Sequence, residues 1–382
     1  MAHTHIIGQT GNGSDDLLKT QILSDISHTY KTINKTTYTR GVFVFDPHGR
    51  TIDWILPRIP KARIKDTVLF DPNFPIAWNP LHNVSEALAA SIVDTFRAIN
   101  GYDISANLFQ KSLYSAVAAL IEAKCTLFDV KYMFISDKFR KSVVQSITNP
   151  VIRRFWKVEF PALTTREQNE LVRSAETTFH ILISDPRIAA IVAQHKSLIE
   201  LSNPTQIFLA KIPQGDFGIQ RSATIGSLLL GQLYNTIQQC PVDHLSVYVL
   251  DCHHLAPSTL IEMLTAGSQY GLRITLAHQT LSQLDWRLKD AILGCADFRH
   301  VFRVSQKDAD ELDRINGPDN INVRPNELAP GIYRTYPINR LQPDNPATLP
   351  LTVPNEKARE RVLRANEKYH RPIDLNARVE SF

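Results

Sequence analysis

The first residues that could do chemistry lie in a glycine-rich loop, where Gly8 and Gly13 have the spacing of a phosphate-binding loop. In such a loop, backbone N–H groups and the N-terminus of the next helix surround the phosphate. The full pattern continues with Lys and then Ser or Thr, whereas this chain has Ser14 and Asp15. On this segment alone, a structural turn and a phosphate site fit about equally well. The candidate nucleotide-binding residues are Gly8, Gln9, Thr10, Gly11, Asn12, Gly13, Ser14 and Asp15.

A second group of reactive side chains, from Asp251 to His254, follows an apolar run at residues 245–250. Neighbouring residues at the end of a strand point in different directions, and the sequence offers no second ligand cluster, so these side chains do not indicate a metal site. His48 lies in the turn sequence Asp46–Gly49. We expect it to form a hydrogen bond in that turn rather than to act in catalysis.

The elements that would position these residues alternate between apolar strands and helices. Continuous apolar runs bounded by turn residues are typical of strands that are covered on both faces of a parallel sheet. Apolar residues at helical spacing indicate the connecting helices. We therefore predict a doubly wound, mainly parallel α/β fold. Strands are predicted at 4–7, 41–45, 67–70, 206–210, 245–250, 273–277 and 300–304, and helices at 15–30, 223–239, 260–268 and 355–369.

The middle of the chain has a different character, because glycine nearly vanishes between residues 85 and 194 and helix formers dominate. Helices are predicted there at 87–99, 108–123, 137–146 and 167–183. We interpret this part as an all-α domain inserted into the α/β core. The predicted domains are a first part of the core (1–84), the inserted domain (85–195), a second part of the core (196–335) and a Pro-rich and helical tail (336–382).

Composition excludes several classes of protein. The chain has 382 residues, of which 43% are hydrophobic and 21% charged, so it can bury a large core and is not mainly disordered. Its four cysteines form no CxxC motif, which argues against a disulfide scaffold and for a reducing compartment. A net charge of +4 permits a nucleic-acid partner without requiring one. No apolar run is long enough for a membrane span and no signal pattern is present, so we expect a cytoplasmic protein.

Several motifs, in a fixed order along nearly the whole chain, resemble those of HerA/FtsK-type ring ATPases. The resemblance is strongest to the conjugative coupling proteins (TraD/TraG-like) that pump DNA in conjugation and type IV secretion. It implies a RecA-like P-loop NTPase core with a mainly parallel sheet and an inserted all-α domain. The motifs are His5–Gly11, Val42–Gly49, Phe70–Pro72, Asn79–Leu81, Pro213–Gly215, Tyr248–Asp251, Tyr270–Leu272, Leu276–Gln279 and Phe302–Val304.

In that family, ATP is hydrolysed at the interfaces of a hexameric ring and drives double-stranded DNA through the pore. By resemblance, Asp251 occupies the position of the aspartate that is associated with Mg²⁺, and Gln279 that of the γ-phosphate sensor. Cys252 stands where the family has the glutamate that orients water. Arg303 could point across a subunit interface, or it could pair with an acid such as Asp308 of its own subunit.

The substitutions after Gly13 predict that ATP and Mg²⁺ bind weakly or not at all. Asp15 would face the triphosphate, and one like-charge pair at about 4 Å costs on the order of 4 kcal/mol at an effective dielectric near 20. Loss of the lysine removes an attraction of similar size. The segment Ala266–Gln269 also lacks the Arg and Lys that the family places before Tyr270-Gly271-Leu272. A working site with unorthodox residues is the rival interpretation.

A basic stretch lies in the predicted helical domain, where residues 131–157 hold seven Lys or Arg against one Asp. Such a run is usually a solvated face. In the resembling ring proteins the helical domain faces incoming DNA, so these residues are also candidates for phosphate contacts. The candidates for DNA binding are Lys138, Arg140, Lys141, Arg153, Arg154 and Lys157.

Three functions follow from these observations. The first is a hydrolysis-defective relative of the coupling proteins that binds DNA or a secretion or relaxosome partner, as a homo-hexamer or in a mixed ring with an active paralogue. The second is an active DNA-pumping ATPase, and the third is an interaction scaffold that binds no nucleic acid. The chain starts at the first core strand, so we expect no N-terminal barrel or membrane anchor, and a location that is cytoplasmic or peripheral to a membrane secretion complex.

Overall fold

A computed structural model describes residues 2–33, 36–100, 107–201, 203, 205–316, 324–337 and 353–380. The chain divides into two compact units. The domain boundaries that we predicted at residues 84, 195 and 335 remain a prediction. The first unit comprises Met1–Phe70, Asn203–Pro213 and Pro241–Glu367, and the second comprises Asp71–Ser202, Gln214–Cys240 and Lys368–Phe382.

The first unit contains a sheet of eight strands in the order β10-β9-β1-β8-β7-β4-β6-β5. Neighbouring strands in it are parallel, except that β10 runs antiparallel to β9 at one edge. The predicted RecA-like α/β fold with a mainly parallel sheet is therefore confirmed. The strands are β1 (Thr4–Ile7), β2 (Thr29–Ile33), β3 (Thr36–Thr39), β4 (Gly41–Asp46), β5 (Thr67–Phe70), β6 (Ile207–Lys211), β7 (Leu245–Val249), β8 (Leu272–His278), β9 (Phe298–Val301) and β10 (Arg334–Pro337).

Helices cover this sheet and form the bulk of the second unit. The helices are α1 (Ser14–Ser27), α2 (Arg50–Ile55), α3 (Ala87–Asn100), α4 (Asn107–Glu122), α5 (Val130–Ile135), α6 (Asp137–Ser146), α7 (Pro150–Arg154), α8 (Thr165–Ile183), α9 (Pro186–Val192), α10 (Gln214–Phe217), α11 (Ile219–Gln239), α12 (Pro257–Ala266), α13 (Trp286–Cys295), α14 (Gln306–Asn316), α15 (Glu356–Asn366) and α16 (Leu375–Glu380). None of them, in the described ranges, is both long and apolar enough to cross a membrane.

The core of the first unit explains why the apolar runs form buried strands. Every residue of β4 and of β7 is buried, as expected for strands covered on both faces. Ile22 of α1, Ile52 of α2 and Val362 of α15 are fully buried in the same apolar cluster as Val44 of β4. Because the strands are parallel, their carboxyl ends lie at one edge of the sheet, and that edge receives the loops that carry the candidate residues.

The C-terminal helix α15 completes the edge strand β5. Asn366 accepts a hydrogen bond from the backbone N–H of Leu69 (2.8 Å) and donates one to the carbonyl of Thr67 (3.1 Å). Its side-chain amide therefore replaces a neighbouring strand at this edge. The helix that we predicted at 355–369 is present and is a part of the first unit.

The second unit is helical, and its helices begin at the polar residues expected of N-caps. Ser136 caps α6, Asn149 caps α7 and Asp185 caps α9, while Thr164 and Glu167 form a reciprocal capping box before α8. The helix α7 continues into a π-helical turn at residues 155–159. The sequence placed α11 in the second part of the core, whereas the compact units assign it to this helical unit.

The prediction failed between residues 28 and 40. The helix predicted to reach Tyr30 ends at Ser27, and an antiparallel hairpin of β2 and β3 follows it. Residues 29–39 include five threonines, and β-branched residues favour extended backbone over helix. The antiparallel strand β10 at the sheet edge was also not predicted.

Candidate functional site

The glycine-rich loop joins β1 to α1, and its backbone is held by the strands on both sides of β1. The N–H of Gly8 donates to the carbonyl of His278, the last residue of β8 (3.3 Å), and the N–H of Gln9 donates to the carbonyl of Arg303, which follows β9 (2.9 Å). Within the loop, the N–H of Asn12 donates to the Gln9 carbonyl (3.3 Å). The sequence-predicted context, a loop between a buried strand and a helix, is therefore present.

The two spaced glycines are required by packing. A Cβ atom on Gly8 would lie 2.5 Å from the Cβ of Phe302, closer than two such atoms can approach. Gly13 has a φ of +99° and precedes α1, and a Cβ there would lie 3.0 Å from the Cα of Gly331. These contacts alone account for both glycines, so their spacing does not by itself indicate a bound phosphate.

The covering loop at residues 328–333, which sequence reasoning missed, packs against the glycine-rich loop. The N–H of Gly331, whose φ is +80°, donates to the carbonyl of Asn12 (2.9 Å). The ring of Tyr333 lies 4.8 Å from that of Phe302. The pair Pro330-Gly331 indicates a turn, but local sequence does not predict that this turn contacts a loop near the N-terminus.

The first turn of α1 is acidic where a nucleotide site needs positive charge. Ser14 is buried, whereas Asp15 and Asp16 are exposed. Lys19, the single lysine of α1, is bonded to Asp16 (3.3 Å) and lies over the ring of Trp54 (5.5 Å). Carboxylates at this position stabilise a helix through its dipole. For the same reason, their negative charge cancels part of the positive potential that would attract an anion.

Asp251 follows β7 at the same edge of the sheet, in a left-handed backbone conformation with a φ of +46°. Its Oδ2 lies 3.2 Å from Nε2 of His48. Burial raises the pKa of Asp251, the neighbouring His48 opposes this rise, and the negative charges of Asp15 and Asp46 add to it. Three carboxylates therefore act on one another at the position where the resemblance places Mg²⁺ and the triphosphate.

Asp46 has a structural role in the turn that contains His48. Its Oδ1 accepts hydrogen bonds from the N–H groups of His48 (2.9 Å) and Gly49 (2.8 Å), and its Oδ2 accepts from Thr51 (2.8 Å) and Ile52 (3.1 Å). The carboxylate thus binds the free N–H groups at the start of α2. His48 takes part in the turn through its backbone, as predicted, and through its ring it also contacts Asp251.

Cys252, which the resemblance places at the position of a glutamate, is fully buried. Burial, together with the charge of Asp251, raises the pKa of this thiol, so it stays protonated. His253 and His254 lie side by side, with ring centroids 3.9 Å apart, and burial lowers the pKa of His253 to about 4. In the part of the chain that the structure describes, no group of His, Cys, Asp or Glu side chains is arranged to hold a metal ion.

Gln279, the predicted sensor, follows β8 and therefore lies at the edge of the sheet that carries Gly8 and Asp251. Its backbone N–H donates to the side chain of Gln283 (3.2 Å). The preceding residue, His278, is buried and forms a 2.8 Å hydrogen bond between its Nε2 and that of His5. Burial lowers the pKa of His278 to about 3, so this pair is neutral at physiological pH.

Arg303 follows β9 next to the glycine-rich loop, and its side chain is exposed. The carboxylate of Asp308 instead accepts hydrogen bonds from the N–H of Leu281 (3.2 Å) and the hydroxyl of Ser305 (3.0 Å). Among the described residues there is no ion pair between Arg303 and Asp308. The intrasubunit pairing that we considered is therefore not formed, and a contact across a subunit interface stays a prediction.

The six basic candidates of the second unit fall into two groups. Arg140 donates to the carbonyl of Met133 (2.8 Å) and pairs with Asp137, Arg153 donates to the carbonyl of Ile147 (2.8 Å), and Arg154 lies 3.8 Å from Glu159. These arginines already have partners in the fold. Three lysines with exposed side chains form the second group, Lys138, Lys141 and Lys157.

Comparison with protein-family models and with curated proteins finds no match to this chain. Solved structures do match it over most of its length. The unbound bacterial conjugative coupling protein TrwB is 15% identical with a TM-score of 0.58, covering 88% of this chain and 82% of that one. VirB4 of Thermoanaerobacter pseudethanolicus is 12% identical with a TM-score of 0.59, covering 88% and 89%.

TrwB has also been solved in complex with ADP and Mg²⁺. That structure is 16% identical to this chain, with a TM-score of 0.53, and the match covers 82% of this chain and 74% of TrwB. At such low identity the likeness concerns the fold. The resemblance that the motifs indicated is confirmed at that level: the chain has the RecA-like α/β fold of the conjugative coupling protein TrwB and of VirB4.

Proposed function

We propose that this chain is a hydrolysis-defective relative of the coupling-protein ATPases of conjugation and type IV secretion, and that it binds DNA or a protein partner. The fold it shares with TrwB and VirB4 supports the family. The ring assembly is also a part of this proposal, as a homo-hexamer or as a mixed ring with an active paralogue. We place it in the cytoplasm or at the periphery of a membrane secretion complex.

One observation supports the proposed loss of hydrolysis. Asp15 lies in the first turn of α1, and its negative charge acts on Asp251 at the same edge of the sheet. ATP would bring a strongly negative triphosphate to this edge. Each added like-charge pair costs on the order of 4 kcal/mol at about 4 Å and an effective dielectric near 20. The backbone N–H groups of the loop do not offset this repulsion without the lysine that the pattern requires.

The residues present therefore do not fit ATP with Mg²⁺. The buried thiol of Cys252 stays protonated and cannot accept a proton from water, so the role of the family's glutamate is not filled. Asp251 is bonded to His48 through its Oδ2, so one of its two carboxylate oxygens already has a partner. Asp251 remains the candidate for weak Mg²⁺ binding, and Gln279 the candidate sensor.

Calorimetric titration of Mg²⁺-ATP into the native chain and into a Ser14→Lys, Asp15→Thr double variant tests this proposal. We expect no measurable heat of binding for the native chain and binding by the variant, because the loop geometry is retained. An Asp16→Thr variant is the matched control, since it removes another exposed charge from the same turn without restoring the pattern. ATP binding by the native chain would refute the predicted loss of binding, and turnover that depends on Asp251 would show an active ATPase instead.

DNA binding is tested separately, by anisotropy of a labelled duplex over a range of salt concentrations. Phosphate contacts predict an affinity that falls steeply with salt. A chain that binds neither ATP nor DNA leaves a role that depends on protein partners, which includes the third function, an interaction scaffold. The exposed lysines Lys138, Lys141 and Lys157 are the candidates in the second unit, because the arginines already have partners.

A further inference from the structure

The C-terminal helix α15 of the first unit carries a row of positive charges on its outer side. Lys357, Arg361 and Arg364 are exposed and follow one another at spacings of four and three residues, which places them on one face of the helix. Ala358 and Val362 lie on a different face and are buried in the core of the first unit. We call the three charged residues the α15 basic row.

The charge of the α15 basic row is not neutralised within the fold. Among the residues that the structure describes, none of its three side chains forms an ion pair. The helix holds four basic residues against two acidic ones, Glu356 and Glu360. The 3₁₀ turn at Lys61–Asp66 contacts α15 and adds two exposed lysines, Lys61 and Lys65. Both elements therefore carry a net positive charge.

The helix that presents the row is fixed at both ends. The side chain of Asn355 accepts a hydrogen bond from the N–H of Lys357 (3.1 Å), and the backbone N–H of Asn355 donates to the carbonyl of Pro57 (2.8 Å). At the other end, Asn366 is bonded to the edge strand β5. A ligand therefore meets charges whose backbone positions are already set, which limits the entropic cost of binding.

The chemistry of the row favours the phosphate backbone of DNA over other anionic ligands. In α15, which the structure describes throughout, no apolar side chain is exposed: Ala358 and Val362 are buried, and Leu363 and Ala365 pack against the same core. A protein interface is usually centred on a buried apolar or aromatic anchor, and a helix that lies in a membrane surface needs an apolar face to insert. Phosphate contacts need neither.

We propose that the α15 basic row is a DNA-binding surface, at which Lys357, Arg361 and Arg364 contact phosphates of a duplex without reading its sequence. From Lys357 to Arg364 the helix rises by about 10 Å. A duplex carries about one phosphate per 1.7 Å of its axis, so each of the three charges can reach a phosphate in any register. This inference rests on the proposed function, since it names the surface at which DNA would bind.

The test measures the anisotropy of a fluorescein-labelled DNA duplex of mixed sequence, with the full chain, between about 50 and 200 mM salt. The test variant is Lys357→Gln with Arg361→Gln and Arg364→Gln, because glutamine removes the charges and remains a good helix former. Arg359→Gln is the matched control, since Arg359 is an exposed arginine of the same helix that lies off the row. Thermal melts of the variants establish that the exposed substitutions leave the fold intact.

We expect the native chain to bind the duplex with an affinity that falls steeply as salt rises. Loss of three phosphate contacts should reduce the slope of log affinity against log salt by about 2–3, and weaken binding at least about tenfold at physiological salt. Arg359→Gln should change the affinity less than about twofold, because a charge off the contact surface is screened.

The assignment is overturned if the triple variant keeps the native affinity and salt slope, or if Arg359→Gln shows an equal loss. Two further arms then identify the alternative. Binding to vesicles of phosphatidylcholine and phosphatidylserine that is lost in the triple variant alone would assign the row to a lipid surface. Loss of duplex binding in a Lys138→Gln, Lys141→Gln, Lys157→Gln variant would move the contacts to the second unit and leave the proposed DNA binding standing. A native chain that binds no DNA would refute both this inference and the DNA-binding part of the proposed function.

Discussion

The carboxylate of Asp46 is the clearest case of a motif residue whose role is structural. It is 2% exposed and accepts hydrogen bonds from four backbone N–H groups at the start of α2. We predict that Asp46→Asn destabilises the first unit strongly. The amide oxygen can keep two of these bonds, but the amide nitrogen then faces two backbone donors that it cannot satisfy.

The magnitude follows from those two donors. A buried N–H group that loses its partner costs about 1–3 kcal/mol, so two of them cost about 4 kcal/mol. Loss of the negative charge at the helix start adds a further ~0.3–1 kcal/mol. A loss of this size is a large fraction of the roughly 5–15 kcal/mol by which proteins of ordinary stability are folded.

Urea denaturation, followed by far-UV circular dichroism, measures the change in the free energy of unfolding. Asp53→Asn is the matched control, because Asp53 lies in the same helix but pairs at the surface with Lys211 (2.9 Å) and should contribute less than about 1 kcal/mol. A cost below about 1 kcal/mol for Asp46→Asn would refute the capping role. The Asp46 carboxylate would then be a candidate for a binding or catalytic role.

Two further predictions concern stability. Asn366→Leu should lower the free energy of unfolding by about 2 kcal/mol, because Leu69 loses its acceptor, and hydrogen exchange of the Leu69 amide should accelerate. Burial lowers the pKa of His278 to about 3 and of His300 to about 4, so the folded state takes up fewer protons than the unfolded state below pH 6.5. The stability that these two histidines contribute should therefore be constant above pH 6.5 and fall between about 6.5 and 4, by up to ~1.4 kcal/mol per pH unit and histidine. His300→Gln should reduce that slope in urea midpoints measured across the range.

The sequence was sufficient to predict the sheet and the edge of the sheet at which the candidate residues meet. Apolar runs with turn residues after them identified the parallel strands, and parallel strands bring their carboxyl ends together. Gly8, Asp251 and Gln279 follow adjacent strands of the sheet for that reason. Such apolar runs can be identified in a single sequence because burial on both faces of a sheet constrains every residue of the strand.

The parts that could not be predicted depend on contacts between residues far apart in the chain. The contact of Gly331 with Asn12 and that of Asn366 with Leu69 each join the C-terminal part to the N-terminal part. The pairing of His48 with Asp251 is similar, since it depends on β4 lying next to β7. Local patterns predict turns and helices at these positions, but not the partner that each one contacts.

The residues that differ from the family's pattern suit a fold that is stable without a nucleotide. A glutamate in place of Cys252 would bring a carboxylate to a fully buried position beside Asp251, which is costly without a cation or a substrate to pair with it. The thiol avoids that cost because it stays neutral. Asp15, in contrast, is exposed and supports the N-terminus of α1. Both residues therefore favour the folded state in the absence of a ligand, while packing and capping account for Gly8, Gly13 and Asp46.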